Sequence, residues 1–98
     1  MKDDILKFLT ENREDFFVRY RLIKMGLFGS YSNNTAHTTS DIDILVEFEP
    51  NTENLSSKKA ELKSVIESRF ETEVDLCREK YIKPYFKDQI LSSAIYVW

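Results

Sequence analysis

Two spacings of apolar residues take turns along the chain. In residues 3–12, Ile5, Phe8 and Leu9 recur at the interval of a helix face, behind Asp3 and Asp4, whose carboxylates can accept bonds from the free amides of a first turn. Residues 13–20 place Phe16, Phe17 and Tyr20 on one side of a further turn or two. The pattern then changes: Arg21 to Phe28 (RLIKMGLF) is mostly apolar and of strand length, and Gly29-Ser30 punctuates it. Residues 31–40 (YSNNTAHTTS) are polar and rich in side chains that bond their own backbone, which fits a loop or a loop holding a short helix.

Asp41 to Phe48 (DIDILVEF) alternates. Ile42, Ile44, Val46 and Phe48 share one face, and Asp41, Asp43, Leu45 and Glu47 share the other, as in a strand with one buried side. Pro50 and Asn51 end it, and a helix follows with Leu55, Leu62, Val65, Ile66 and Phe70 on one stripe. Glu73 to Cys77 (EVDLC) alternates again, with Val74 and Leu76 opposed to Glu73, Asp75 and Cys77. Pro84 suits the first turn of a closing helix, whose apolar side is Tyr85, Phe86, Ile90 and Leu91, before Ala94 and the terminal IYVW. Helices interspersed with strands, with no repeat or linker, predict an α/β (α+β) fold in a single domain over residues 1–98.

Composition narrows the class. With 98 residues, 42% of them apolar, there is material for one modest core and no second domain. The net charge of −3 argues against a long nucleic acid as partner, since neutralising many phosphates calls for the opposite sign. A small anion such as a nucleotide remains compatible, because bound cations invert the field where carboxylates cluster. Cys77 is the only cysteine, so no intrachain disulfide can form. No apolar run approaches a membrane span, and the acidic first twenty residues do not resemble a signal peptide. The chain reads as cytoplasmic, without a membrane partner.

Candidate chemistry sits on the polar strand faces. Asp41 and Asp43 project from the same face with Cβ atoms roughly 7 Å apart. Asp75 joins them if its strand is a neighbour. Water can screen such a trio, or hard divalent cations can bind it. Gly29 removes a side chain where a phosphate could approach the backbone, and the Ser30 hydroxyl with the following amides could donate to it. Taken singly, each feature has a plainer reading: Gly29-Ser30 as a strand-ending turn, Asp-Ile-Asp as a solvated face, His37 as a loop histidine, Cys77 as a small buried hydrophobe, Glu47 and Glu49 as solvated acids, and Lys58 and Lys59 as surface charges. Their order along the chain is what singles them out: apolar strand, Gly-Ser, polar segment, paired aspartates on a strand, helix, third aspartate on a strand.

In that order the chain resembles the minimal, single-domain branch of the polymerase-β-like nucleotidyltransferase superfamily, as found in HEPN/MNT toxin–antitoxin pairs. GLFGSYSNNTAHTTSDIDILVEF (26–48) is similar to the glycine-serine and paired-aspartate signature, EVDLC (73–77) to the third-acid strand, and KPYFKDQIL (83–91) to the closing segment. The resemblance implies a mixed sheet with helices packed on one face and the carboxylate site on the other. It implies Asp41, Asp43 and Asp75 as catalytic residues and ligands of Mg²⁺ (or Mn²⁺), with Gly29 and Ser30 at the triphosphate. The nucleotide would be ATP, the acceptor a tyrosine of a HEPN-type partner toxin, and this chain the antitoxin, with self-association or pairing open. Where the family often has arginine-glycine, this chain has Asn33-Asn34, so a cationic phosphate contact is missing. A catalytically weak module that neutralises its partner by binding is therefore the alternative reading.

Overall fold

The computed structural model describes residues 1–37 and 40–98; Thr38 and Thr39, within the polar segment, lie outside the described residues. The chain runs α1 (Lys2–Glu11), α2 (Arg13–Tyr20), β1 (Leu22–Phe28), the helical turn α3 (Gly29–Ser32), β2 (Ile42–Phe48), α4 (Leu55–Phe70), β3 (Val74–Arg78), a 3-10 turn (Glu79–Tyr81), α5 (Pro84–Ser93) and β4 (Ile95–Tyr96). The open choice at the polar segment is settled for its start: a single helical turn begins at Gly29, before the polar run itself.

The strands form one sheet in the order β3-β2-β1-β4. β1 is antiparallel to β2 and to β4, and β2 is parallel to β3, so the sheet is mixed. The parallel pair requires a crossover, which α4 supplies. Leu27 and Met25 of β1, Ile44 and Val46 of β2, and Val74 and Leu76 of β3 turn to one face. There they bury against Ile5, Leu9, Phe16 and Tyr20 of α1 and α2 and against Leu62, Ile66 and Phe70 of α4. Phe8 locks this helical layer by meeting Phe16 and Phe70 edge-on, with ring centroids 6.0 and 5.4 Å away.

Helices thus cover one face, as expected, while a smaller cluster covers part of the other. Phe28, Leu45 and Ile82 are buried there with Ile90 and Leu91 of α5 packed on them. Four apolar positions expected inside lie outside: Phe17 is 39% exposed, Val65 37%, Tyr85 88% and Phe86 47%. Phe17 and Val65 lie on the borders of their stripes. α5 turns only Ile90 and Leu91 inward, which leaves Tyr85 and Phe86 stacked edge-to-face on each other in solvent, 4.9 Å apart.

β4 is the element that the apolar pattern does not reveal, because a two-residue strand has no periodicity to read. It is held by local complementarity. Tyr96 lies opposite Gly26, where an added Cβ would come within 2.9 Å of the Tyr96 ring. The Tyr96 hydroxyl is 3.1 Å from Glu79, and the Lys24 ammonium, 3.0 Å from the same carboxylate, stands over the ring. Trp98 then donates its indole N–H to the Leu9 carbonyl at 3.1 Å, tying the terminus to α1. Among the described residues no helix is long and apolar enough to cross a membrane.

Candidate active site

Phe28 ends β1 in extended conformation directly opposite Asp43 of β2. The next residue must turn sharply, and Gly29 does so at φ +73°, a region that side-chain-bearing residues rarely occupy. A Cβ at Gly29 would lie 2.3 Å from Oδ2 and 3.1 Å from Cγ of Asp43. A plain strand-ending turn accounts for the backbone angle but not for this contact. The turn itself is fixed by the Ser32 hydroxyl and the Asn33 amide, which both donate to the Gly29 carbonyl at 3.0 and 3.1 Å. Ser30 sits partly exposed in its first residues.

Asp43 and Asp75 are register partners across the parallel β2/β3 pair, so their side chains stand side by side on the face opposite the helical layer. Asp41, just ahead of β2, is exposed, and Asp43 is half-buried between its two neighbours. Burial first, then the charges of Asp75 and Asp41, pushes the Asp43 carboxyl up to about 6. The sheet thus brings the three predicted acids to one end of one face, with Gly29 against the middle one.

The donor set is hard carboxylate oxygen, the chemistry that Mg²⁺ and Mn²⁺ prefer. Among the described residues no group of three or more His, Cys, Asp or Glu side chains is placed to hold a metal ion by itself. The acids stand across the ends of neighbouring strands instead, which suits a cation shared between one or two carboxylates and the oxygens of a substrate phosphate. The space that a Gly29 side chain would fill is left to the Asp43 carboxylate, so the residues present fit such an ion.

The neighbours sort into supporting and bystander roles. Cys77 shares the face of Asp75, and burial, then the Asp75 charge, pushes its thiol up, so it is no thiolate nucleophile. Glu47 was expected in solvent, yet its Oε1 accepts from Arg78 Nη2 at 2.7 Å and from Nε at 3.0 Å. The reason is topological: β2 and β3 are adjacent and Arg78 is only 13% exposed, so the pair closes the far end of the acidic row. His37 is exposed, and its backbone amide donates to Ser40 Oγ at 3.0 Å. Lys58 bonds the Glu53 carbonyl, while Lys59 and Lys63 line a groove of ≈ 290 Å³ together with Asp75. The stripe Ser56, Lys59 or Ala60, Lys63 on α4 was the available signal for that groove, but the sequence does not show that it faces Asp75. A hollow of ≈ 500 Å³ beside Phe17, Val18 and Trp98 contains none of the three acids.

The departure at Asn33-Asn34 is only partial in structural terms. Asn34 adopts φ +59°, so it fills the backbone role of glycine with a residue type that tolerates the left-handed region. Asn33 is exposed at the end of α3 and supplies no charge.

The model of the nucleotidyltransferase domain family matches residues 5–97 of this chain. Protein adenylyltransferase MntA of Thermococcus cleftensis is 32% identical over 95 residues, covering 97% of this chain and 94% of that one. MJ1379 of Methanocaldococcus jannaschii, assigned to the same activity, is 35% identical over 95 residues, covering 96% and 95%. A solved chain described as a minimal nucleotidyltransferase superposes with a TM-score of 0.70 at 30% identity, covering 92% of this chain and 93% of that one. A crystal structure of a toxin–antitoxin with AMP-PNP contains a chain similar at TM-score 0.68 and 26% identity, of which this chain covers 72% and is itself covered over 91%. Matched along nearly its whole length, with its acids and glycine turn at one end of the sheet, this chain belongs to the nucleotidyltransferase domain family and is a nucleotidyltransferase of the small, protein-adenylyltransferase-like kind.

Proposed function

We propose that the protein moves AMP from ATP onto a tyrosine hydroxyl of a HEPN-type partner toxin and so acts as the antitoxin of the pair. The observation that carries this reading is the placement of Asp43: its carboxylate is packed against Gly29, flanked by Asp75, and holds its proton up to about 6. A carboxylate so buried, and beside like charges, gains most from a cation and a substrate that brings one. Names of relatives support the reaction class, since MntA of T. cleftensis is a protein adenylyltransferase. The similar chain in a toxin–antitoxin crystal with AMP-PNP, an ATP analogue, supports the nucleotide and the kind of partner. Tyrosine as acceptor follows from the resemblance of the signature segments.

In this reading the Ser30 hydroxyl and the amides of the α3 turn bind the outer phosphates, which Gly29 lets approach the backbone. Asp41 and Asp43, with Asp75, would hold Mg²⁺ (or Mn²⁺), which when bound offsets the charge of both carboxylates and phosphates. The acceptor oxygen forms a bond to the α-phosphorus as the bond from that phosphorus to the bridging oxygen breaks. Pyrophosphate departs with the bonding pair, and the hydroxyl proton passes to the Asp75 carboxylate.

Asn33 in place of a charged phosphate ligand favours a second reading, a partner-binding module with little turnover. The two separate in one assay of pyrophosphate release with ATP, Mg²⁺ and the partner toxin. Transfer predicts saturable release that falls about a hundredfold or more in Asp41→Asn and in Asp43→Asn. No release from the unaltered protein, with the toxin still neutralised by a variant lacking all three carboxylates, would establish the binding module.

A further inference from the structure

The sheet order gives the site a direction. Gly29 follows β1, Asp43 lies on β2, and Asp75 lies on β3 at the sheet edge, so Asp43 stands between the glycine turn and Asp75. An in-line displacement keeps the entering and leaving oxygens on opposite sides of the phosphorus. With pyrophosphate leaving at Gly29-Ser30, the acceptor enters past Asp75, from the open edge of β3.

That edge carries a cationic wall. Ser56, Lys59, Ala60 and Lys63 recur at helical spacing on α4 and, with Asp75 and Leu76, line the groove of ≈ 290 Å³. Lys59 is half-buried, and among the described residues neither Lys59 nor Lys63 has an ion-pair or hydrogen-bond partner for its ammonium. Two uncommitted ammonium groups beside a catalytic carboxylate, on a protein of net charge −3, form a local reversal of sign. The outer phosphates of the nucleotide cannot be their counterion, because the glycine turn holds those on the other side of Asp43.

Resting on the transfer reading above, we propose that the α4/β3 groove is the acceptor's entry and that Lys59 and Lys63 select a polypeptide segment with acidic side chains beside its acceptor hydroxyl. The lysines pair with those side chains and offset the repulsion that Asp75 would otherwise exert on an acidic segment.

The test measures binding of fluorescent tyrosine peptides to the protein with Mg²⁺ and α,β-methylene-ATP, one peptide flanked by glutamates and one by lysines. The expected result is at least a tenfold tighter Kd for the glutamate peptide. That preference should fall about fivefold or more in Lys59→Glu and in Lys63→Glu, and survive in Lys58→Glu, which makes the same charge change outside the groove. Equal affinity for the two peptides, or a preference that Lys58→Glu erodes as much as Lys59→Glu does, would overturn the proposal. Selective binding of the glutamate peptide without transfer from ATP to it or to the toxin would uphold the groove and sink the transfer reading instead.

Discussion

Gly29 answers two demands at once, a left-handed turn at the end of β1 and room for the Asp43 carboxylate 2.3 Å from where a Cβ would sit. Gly29→Ala should cost roughly 1–2 kcal/mol from the backbone angle alone, read by urea denaturation. It should also lower transfer about a hundredfold or more, because the carboxylate must move. Asp43 makes a second prediction. Its proton affinity is raised to about 6 from the ordinary 3.8, so between those values the folded state binds more protons than the unfolded one. Stability therefore falls as pH rises from about 4 to about 6 in the absence of metal. Asp43→Asn removes that loss: its metal-free urea midpoint should exceed that of the unaltered protein near pH 7, by more than it does near pH 4. An equal difference at both pH values would contradict the burial of the Asp43 carboxylate beside Asp75 and Asp41.

At the scale of elements, the α4–β3 unit carries both core and site. Leu62 is fully buried where α4 crosses the sheet, and Leu62→Ala should cost about 2–5 kcal/mol. Glu71 caps the same helix at φ +51°. Glu71→Gly should raise stability by roughly 0.5–1 kcal/mol, seen as a higher denaturation midpoint. These elements were legible in the sequence because long, one-sided apolar spacing marks them: the DIDILVEF alternation became β2, and Leu62, Ile66 and Phe70 became the buried stripe of α4. Val65 and Phe17 misled because an apolar residue at the border of a stripe looks the same in sequence whether it is covered or not. β4 was illegible because its place is fixed by Tyr96 over Gly26, a contact between residues seventy positions apart along the chain.

At the scale of the molecule, the candidate site is an arrangement between elements. Each acid could be named from the sequence. That Asp75 stands beside Asp43 depended on β3 joining β2, and the strand order also sets Lys59 and Lys63 next to Asp75 and pairs Glu47 with Arg78. Spacing along one strand cannot reveal such neighbours across the sheet. The same order sets Gly29 on one side of Asp43 and the open edge of β3 on the other, the polarity that the proposed transfer uses.

The proposed transfer of AMP to a protein hydroxyl is tested by the intact mass, with tandem sequencing, of the partner toxin after co-expression with the unaltered protein and with Asp43→Asn. AMP should be covalently attached to a toxin tyrosine with the unaltered protein and absent with the variant. A toxin that stays unmodified, yet is neutralised equally by both proteins, would contradict it.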